Sequence, residues 1–154
     1  MTQSPEITRV LKQAALFKNF TETGLQIIAS IAVEKRVPPR TPLFVENMIG
    51  DGLYIVADGS IRLSVRDKEG KDVVLATLGP GDSLGEAAVL RAGPRLCSAI
   101  AEEESRVVEI SRRDLAMLQR SKPQACLKLM MGVVERIGEG IQATQGDLRG
   151  LLVD

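Results

Sequence analysis

The sequence predicts a mainly β domain, an antiparallel sandwich or barrel with helices at both ends. Three observations carry this. Between Leu43 and Ile110, short apolar or alternating runs are separated by turn residues. Before that stretch, apolar residues recur at helical spacing. After it, helical spacing returns and runs nearly to the end of the chain. The 154 residues suit one domain with a real core. Its expected parts are N-terminal helices in 1–36, a β-barrel in 43–110 and C-terminal helices in 111–154.

Ile7, Val10, Leu11, Ala14 and Ala15 share one helix face, and Leu25, Ile28, Ala29 and Ala32 share another. Residues 17–21 break the two apart, and the Thr21 hydroxyl suits the N-cap of the second helix. Val37-Pro38-Pro39-Arg40-Thr41-Pro42 ends helical character, because proline lacks an N–H and its predecessor avoids the α region.

Leu53-Tyr54-Ile55-Val56 is apolar throughout, as a strand buried on both faces is. Asp58-Gly59 is a turn. Ile61, Leu63 and Val65 alternate with Arg62, Ser64 and Arg66, giving a strand with one buried face. Residues 67–71 form a hairpin tip and 73–78 the returning strand. Gly79-Pro80-Gly81-Asp82 is a further turn, without the spacing of a nucleoside triphosphatase loop. Residues 97–101 and 106–110 complete the strands.

Ser111 is a good N-cap for a helix over 112–120, and Pro123 suits the first turn of the next. In that last helix Leu127, Met130, Val134, Ile137, Ile141, Thr144, Leu148 and Leu151 recur alternately three and four apart. This is a heptad seam. It predicts a two-stranded coiled coil in a homodimer; the alternative is a helix packed on its own domain. Gly132, Gly138, Gly140, Gly146 and Gly150 each cost about 1 kcal/mol in a helix interior, which predicts a helix that orders with a partner or a ligand.

Composition narrows the chemistry. There are 20 Lys and Arg against 20 Asp and Glu, so no strong pull toward nucleic acid or an anionic membrane is expected. There is no histidine, which removes Ser-His-Asp and Cys-His catalysis and most zinc sites. Hence no catalytic residue and no metal ligand is assigned. Trp is absent and Tyr occurs once, leaving no aromatic platform for single-stranded nucleic acid. Cys97 and Cys126 read as small apolar residues of a chain in a reducing cytoplasm. No apolar run resembles a secretory signal or a membrane span.

One stretch breaks the β pattern. Residues 84–98 read L-G-E-A-A-V-L-R-A-G-P-R-L-C-S. A short helix entering at Gly85 would aim unpaired N–H groups at an anion. Arg95 offers a bidentate fork for phosphate oxygens. Glu86, acceptor-only when ionised, suits sugar hydroxyls. Phosphate plus ribose explains both charges, so a nucleotide is the economical ligand. The alternative is a structural salt bridge between Arg95 and Glu86.

This stretch resembles the phosphate-binding cassette of the cyclic nucleotide-binding domain family. The family pattern runs Gly-Glu-small residues, then Pro-Arg, matched by Gly85-Glu86-Ala87-Ala88 and Pro94-Arg95-Leu96-Cys97-Ser98. Tyr54-Ile55-Val56 with Gly59-Ser60, the turn at 79–82, and Val108-Glu109-Ile110-Ser111 extend the resemblance to roughly residues 10–145. It implies a jelly-roll barrel with N-terminal helices, a short cassette helix and a long C-terminal helix. It implies that Arg95 neutralises the cyclic phosphate and Glu86 holds the ribose 2′-hydroxyl. Backbone N–H groups near Ala87, Ala88, Leu96 and Cys97, beside Gly85, would complete the cradle. Leu63, Leu75, Ile137 and Ile141 would flank the base.

The expected ligand is cAMP. Leu96 stands where a hydroxyl would favour guanine, so cGMP or a cyclic dinucleotide is less expected. Gly140 and Ile141 stand near where family activators offer hydroxyls to adenine. Such activators add a helix-turn-helix after the long helix, for which a chain ending at Asp154 leaves no room, so direct DNA binding is not expected. The function expected is non-enzymatic sensing, signalled through the seam to a dimer partner or an unknown effector. The alternative is a degenerate nucleotide fold used as an interaction scaffold.

Overall fold

The computed structural model describes residues 5–143. Helix α1 (Pro5–Gln13) leads through a 3-10 turn (Ala15–Phe17) to α2 (Glu22–Ala29). Ten strands follow: β1 (Val33–Val37), β2 (Pro42–Phe44), β3 (Ile49–Gly50), β4 (Gly52–Asp58), β5 (Ile61–Arg66), β6 (Asp72–Leu78), β7 (Ser83–Leu84), β8 (Gly93–Pro94), β9 (Ser98–Ala101) and β10 (Ser105–Ser111). Helix α3 (Ala87–Leu90) interrupts them between β7 and β8. Helices α4 (Arg112–Leu118) and α5 (Pro123–Ala143) close the described chain.

The strands form two four-stranded antiparallel sheets, ordered β1-β10-β4-β7 and β2-β9-β5-β6, and a small β3-β8 pair. This is the mainly antiparallel architecture with flanking helices that the sequence predicts. Two apolar cores explain it. Tyr54, Val56, Val107 and Leu84 meet Phe44, Ile61 and Ala99 between the sheets. Leu53, Ile55, Val108 and Ile110 point the other way, onto Leu11, Leu25, Ile28, Leu115, Leu129 and Val133 of the helices. Strand β4 is therefore apolar on both faces because both faces are covered.

Local chemistry sets the ends of the elements. Thr21 Oγ1 accepts from Gly24 N at 3.1 Å and Ser111 Oγ from Asp114 N at 3.1 Å, two N-caps. Asp67 Oδ1 accepts from the Glu69 and Lys71 N–H groups at the β5–β6 tip, where Gly70 takes a φ of 83°. In the turn before β7, Asp82 Oδ2 accepts from Gly79 N at 2.9 Å.

Two expectations need correction. The N-terminal helical segment stops at Ala29, and Val33–Val37 is a strand paired with β10. Its first four residues are exposed, so it shows neither alternation nor a buried run. Leu75 does not face the barrel. Leu63 pairs with Ala76 but Ser64 pairs with Val74, so Leu75 is the extra residue of a β-bulge and lies exposed. The alternative reading of α5, a seam packed on its own domain, is met only at the partly buried positions. Cys126, Leu129 and Val133 are buried against the domain, while Leu127, Val134 and Ile141 are 61%, 57% and 58% exposed and Met130 and Ile137 are half-buried. Thr144, Leu148 and Leu151 lie outside the described residues.

Candidate functional site

Arg95 follows β8, and the turn before β3 pins its backbone. Arg95 N donates to Met48 O at 2.7 Å, and Asn47 N donates to Arg95 O at 2.8 Å. The side chain runs inward and is only 7% exposed. It lies across Phe44, with the guanidinium carbon 4.2 Å from the ring centroid and 5.7 Å from that of Tyr54. Its Nη2 donates to Gly52 O at 3.0 Å. Its Nε is buried and meets no acceptor.

Two glycines make the channel for this side chain. A Cβ on Gly50 would collide with Arg95 Nε, and one on Gly85 would come within 2.6 Å of Nη1. Gly85 also takes a φ of 73°, which L side chains rarely adopt. Burying a guanidinium is costly unless it is compensated. The aromatic faces and one carbonyl compensate in part. Among the described residues no carboxylate pairs with it, Glu86 included, so the salt-bridge alternative is not what the structure forms. A buried cation that lines a cavity without a carboxylate partner among the described residues suits an anion there.

The cavity holds about 550 Å³. Gly85, Glu86, Ala87, Ala88, Arg95, Leu96, Cys97, Leu63 and Ile137 line it, and Leu75 and Ile141 do not. Phe44, Leu78, Ser83 and Arg91 line it as well. Leu78 stands on β6, beyond the bulge that turned Leu75 away. Leu96 is 84% exposed at the rim. The Ala88 N–H already donates to Gly85 O at 3.1 Å within the cassette turn.

Burial pushes the Glu86 carboxyl above the usual carboxylate range; Arg136 on α5 pulls it back. Glu86 thus feels both the cassette and the long helix. Burial also raises the Cys97 thiol, with Glu46 adding to the effect and Arg95 opposing it. Such a thiol is protonated and unreactive at neutral pH. Among the described residues no cluster of His, Cys, Asp and Glu is placed to hold a metal ion. No described helix is long and apolar enough to cross a membrane.

The model of the family described as "Cyclic nucleotide-binding domain" matches residues 34–122, which contain the cavity's cassette, Phe44, Gly50 and Arg95. The chain belongs to the cyclic nucleotide-binding domain family. Among its relatives, the cyclic AMP receptor protein of Thermus thermophilus is 30% identical over 129 residues, 84% of this chain and 60% of that protein. The solved catabolite activator protein of the same organism superposes with a TM-score of 0.79 at 27% identity, covering 88% of this chain and 62% of that one. The regulatory domain of Toxoplasma gondii PKA, solved with cAMP, gives 0.65 at 29% identity, over 73% of this chain and 43% of that one. This cyclic nucleotide-binding domain spans 60% and 57% of the length of two such curated relatives.

Sequence reasoning did not find Phe44, Gly50 or Arg136. Phe44 and Gly50 act through contacts with a residue about fifty positions away, which no local pattern records. Arg136 precedes Ile137 on a helix whose heptad drew attention to the apolar positions alone.

Proposed function

We propose that this domain is a non-enzymatic cyclic nucleotide sensor, that its ligand is cAMP, and that its state is read out through α5 by a second copy or an effector. The observation that carries this reading is the buried Arg95 guanidinium, which lines the cavity and has no carboxylate partner among the described residues. In this reading a cyclic phosphate accepts from Arg95. The ribose 2′-hydroxyl donates to Glu86 across the cavity, and the base rests on Leu63, Leu78 and Ile137. One face of α5 lines the cavity at Ile137, while Leu127 and Val134 stand exposed. A ligand that binds better when Ile137 is packed inward shifts the position of that stripe, through its differential affinity for the two arrangements.

The stripe also favours a homodimer, because a regular exposed apolar seam is stable once paired. Sedimentation of the protein and of Val134→Glu tests this part. A dimer that the substitution dissociates is expected, and a monomeric wild-type protein with and without cAMP would contradict it.

Thermal unfolding with added nucleotides tests the sensor reading. A ligand that binds only the folded state raises Tm with the logarithm of its excess over Kd. A rise with cAMP larger than with cGMP or a cyclic dinucleotide is expected. No rise with any of the three would refute the reading and turn attention to the scaffold alternative.

A further inference from the structure

Arg91 is a cation that the fold does not use. It follows α3, where an extended backbone (φ −158°, ψ 124°) ends the helix. Its N–H donates to Ala87 O at 3.1 Å. Its side chain is exposed and makes no hydrogen bond or ion pair with a described residue. Nor does it serve a helix dipole, since α3 has only four residues.

Arg91 nevertheless lines the cavity. Arg95 and Glu86 are the other charged residues of that wall, so the wall carries two cations against one carboxylate. Arg95 is buried, whereas Arg91 stands in solvent at the rim. Two further charges act on wall residues, Glu46 on Cys97 and Arg136 on Glu86, and they are of opposite sign. The excess of one positive charge therefore stays. The chain as a whole has none to offer an anion, with 20 Lys and Arg against 20 Asp and Glu. Attraction from a distance has to come from the cavity itself. Much of the remaining wall is apolar, Leu63, Leu78, Leu84 and Ile137 among it, and such walls focus the field of a few charges along a cleft.

We propose that Arg91 is a steering residue for the anionic ligand: it speeds the entry of a cyclic phosphate toward Arg95 and takes no part in holding it afterwards. This rests on the reading in which the cavity takes a cyclic nucleotide. Steering by a field needs no fixed contact, which suits a long, exposed side chain with no partner of its own. The field of an exposed charge reaches about 8 Å at physiological ionic strength and shrinks as salt is added.

Two measurements on the whole chain test this. The first needs no nucleotide. Cys97 lines the same cavity, while Cys126 is buried. At mildly alkaline pH the Cys97 thiolate displaces iodide from iodoacetate, an anion, and from iodoacetamide, which is neutral. The ratio of the two rates reads the local potential and cancels the thiolate fraction. Arg91→Gln should lower the ratio about threefold, the scale of one unit charge a few ångströms from the thiol, and Arg91→Lys should restore it. An unmoved ratio overturns the proposal. The second is stopped-flow binding of cAMP that carries a fluorophore on its base. Arg91→Gln should slow association about threefold at low salt, leave dissociation within about twofold, and match the wild type at high salt. A loss that appears in dissociation, or that persists at high salt, would mean a held contact and overturns the proposal. If the wild-type protein binds no cyclic nucleotide, the cAMP reading fails, and the iodoacetate ratio still decides whether Arg91 draws anions into the cavity.

Discussion

The guanidinium of Arg95 lies 4.2 Å from the centroid of the Phe44 ring, held there by Gly52 O on one side and two glycines on the other. A long cation is normally a mobile surface group. Here β2 and β4 supply rings, β3 and the cassette supply space, and the charge is fixed facing a cavity before any anion arrives. Fixed donors cost little reorganisation on binding, which is how preorganisation raises affinity.

Gly50→Ala should therefore cost ligand binding more than it costs the fold. Its methyl group would take the volume of Arg95 Nε and force the guanidinium aside. A loss of at least roughly tenfold in cAMP affinity is expected, the scale of one charged hydrogen bond. Calorimetry on the variant checks it, with thermal unfolding as the control. Unchanged affinity would show that the channel is not what places Arg95.

Glu86→Gln should stabilise the ligand-free protein while weakening cAMP. Burial raises the folded-state pKa of Glu86 above its unfolded value. The folded state then holds its proton more tightly, so the stability tied to this group is greatest at low pH. It is lost as pH rises from the unfolded pKa through the raised folded one. Near neutral pH the charge is a net cost, and removing it should raise Tm, on the order of 2–4 °C per kcal/mol recovered. A Tm that falls near neutral pH would contradict this sign.

Two glycines of α5 should respond in opposite directions. A Cβ at Gly138 would meet nothing within 4 Å, whereas one at Gly132 would sit 3.0 Å from Leu16 O. Gly138→Ala should gain about 1 kcal/mol of helix stability. Gly132→Ala should lose stability, because α5 must move away from the turn at Leu16. Denaturant unfolding of both variants reads the two signs, and the same sign for both would be wrong for this packing.

The single tyrosine gives a spectroscopic check on the barrel. Burial, with the Glu109 carboxylate beside it, pushes the Tyr54 phenol up to about 12. Alkaline difference absorbance should place its midpoint near that value in the folded protein. Unfolded protein should titrate near the ordinary value of about 10. A folded-state midpoint at the ordinary value would mean that Tyr54 is open to water.

Much of this was legible in the chain, for reasons that differ from element to element. Strand β4 could be read because both of its faces are covered and its residues 53–56 form an unbroken apolar run. The hairpin tip at 67–71 and the N-caps Thr21 and Ser111 could be read because their chemistry is local. Strand β1 could not, since Val33, Glu34, Lys35 and Arg36 are exposed and resemble the polar end of a helix. Leu75 was misplaced because the family resemblance from which its place was taken takes no account of a bulge in β6. In the site, the sequence singles out Glu86 and Arg95, and the structure sets both on the wall of one cavity. It gives no sign of the ring beneath Arg95 or of Gly50 beside it, because those relations are made by the barrel closing.

In the proposed function Arg95 is the anion receptor for a cyclic nucleotide. Titration calorimetry of the protein and of Arg95→Ala with cAMP tests it most directly. Micromolar or tighter binding in the wild type, lost in Arg95→Ala while the variant still unfolds cooperatively, is the predicted result. Binding that survives the substitution, or no heat from the wild type with any cyclic nucleotide, would contradict it.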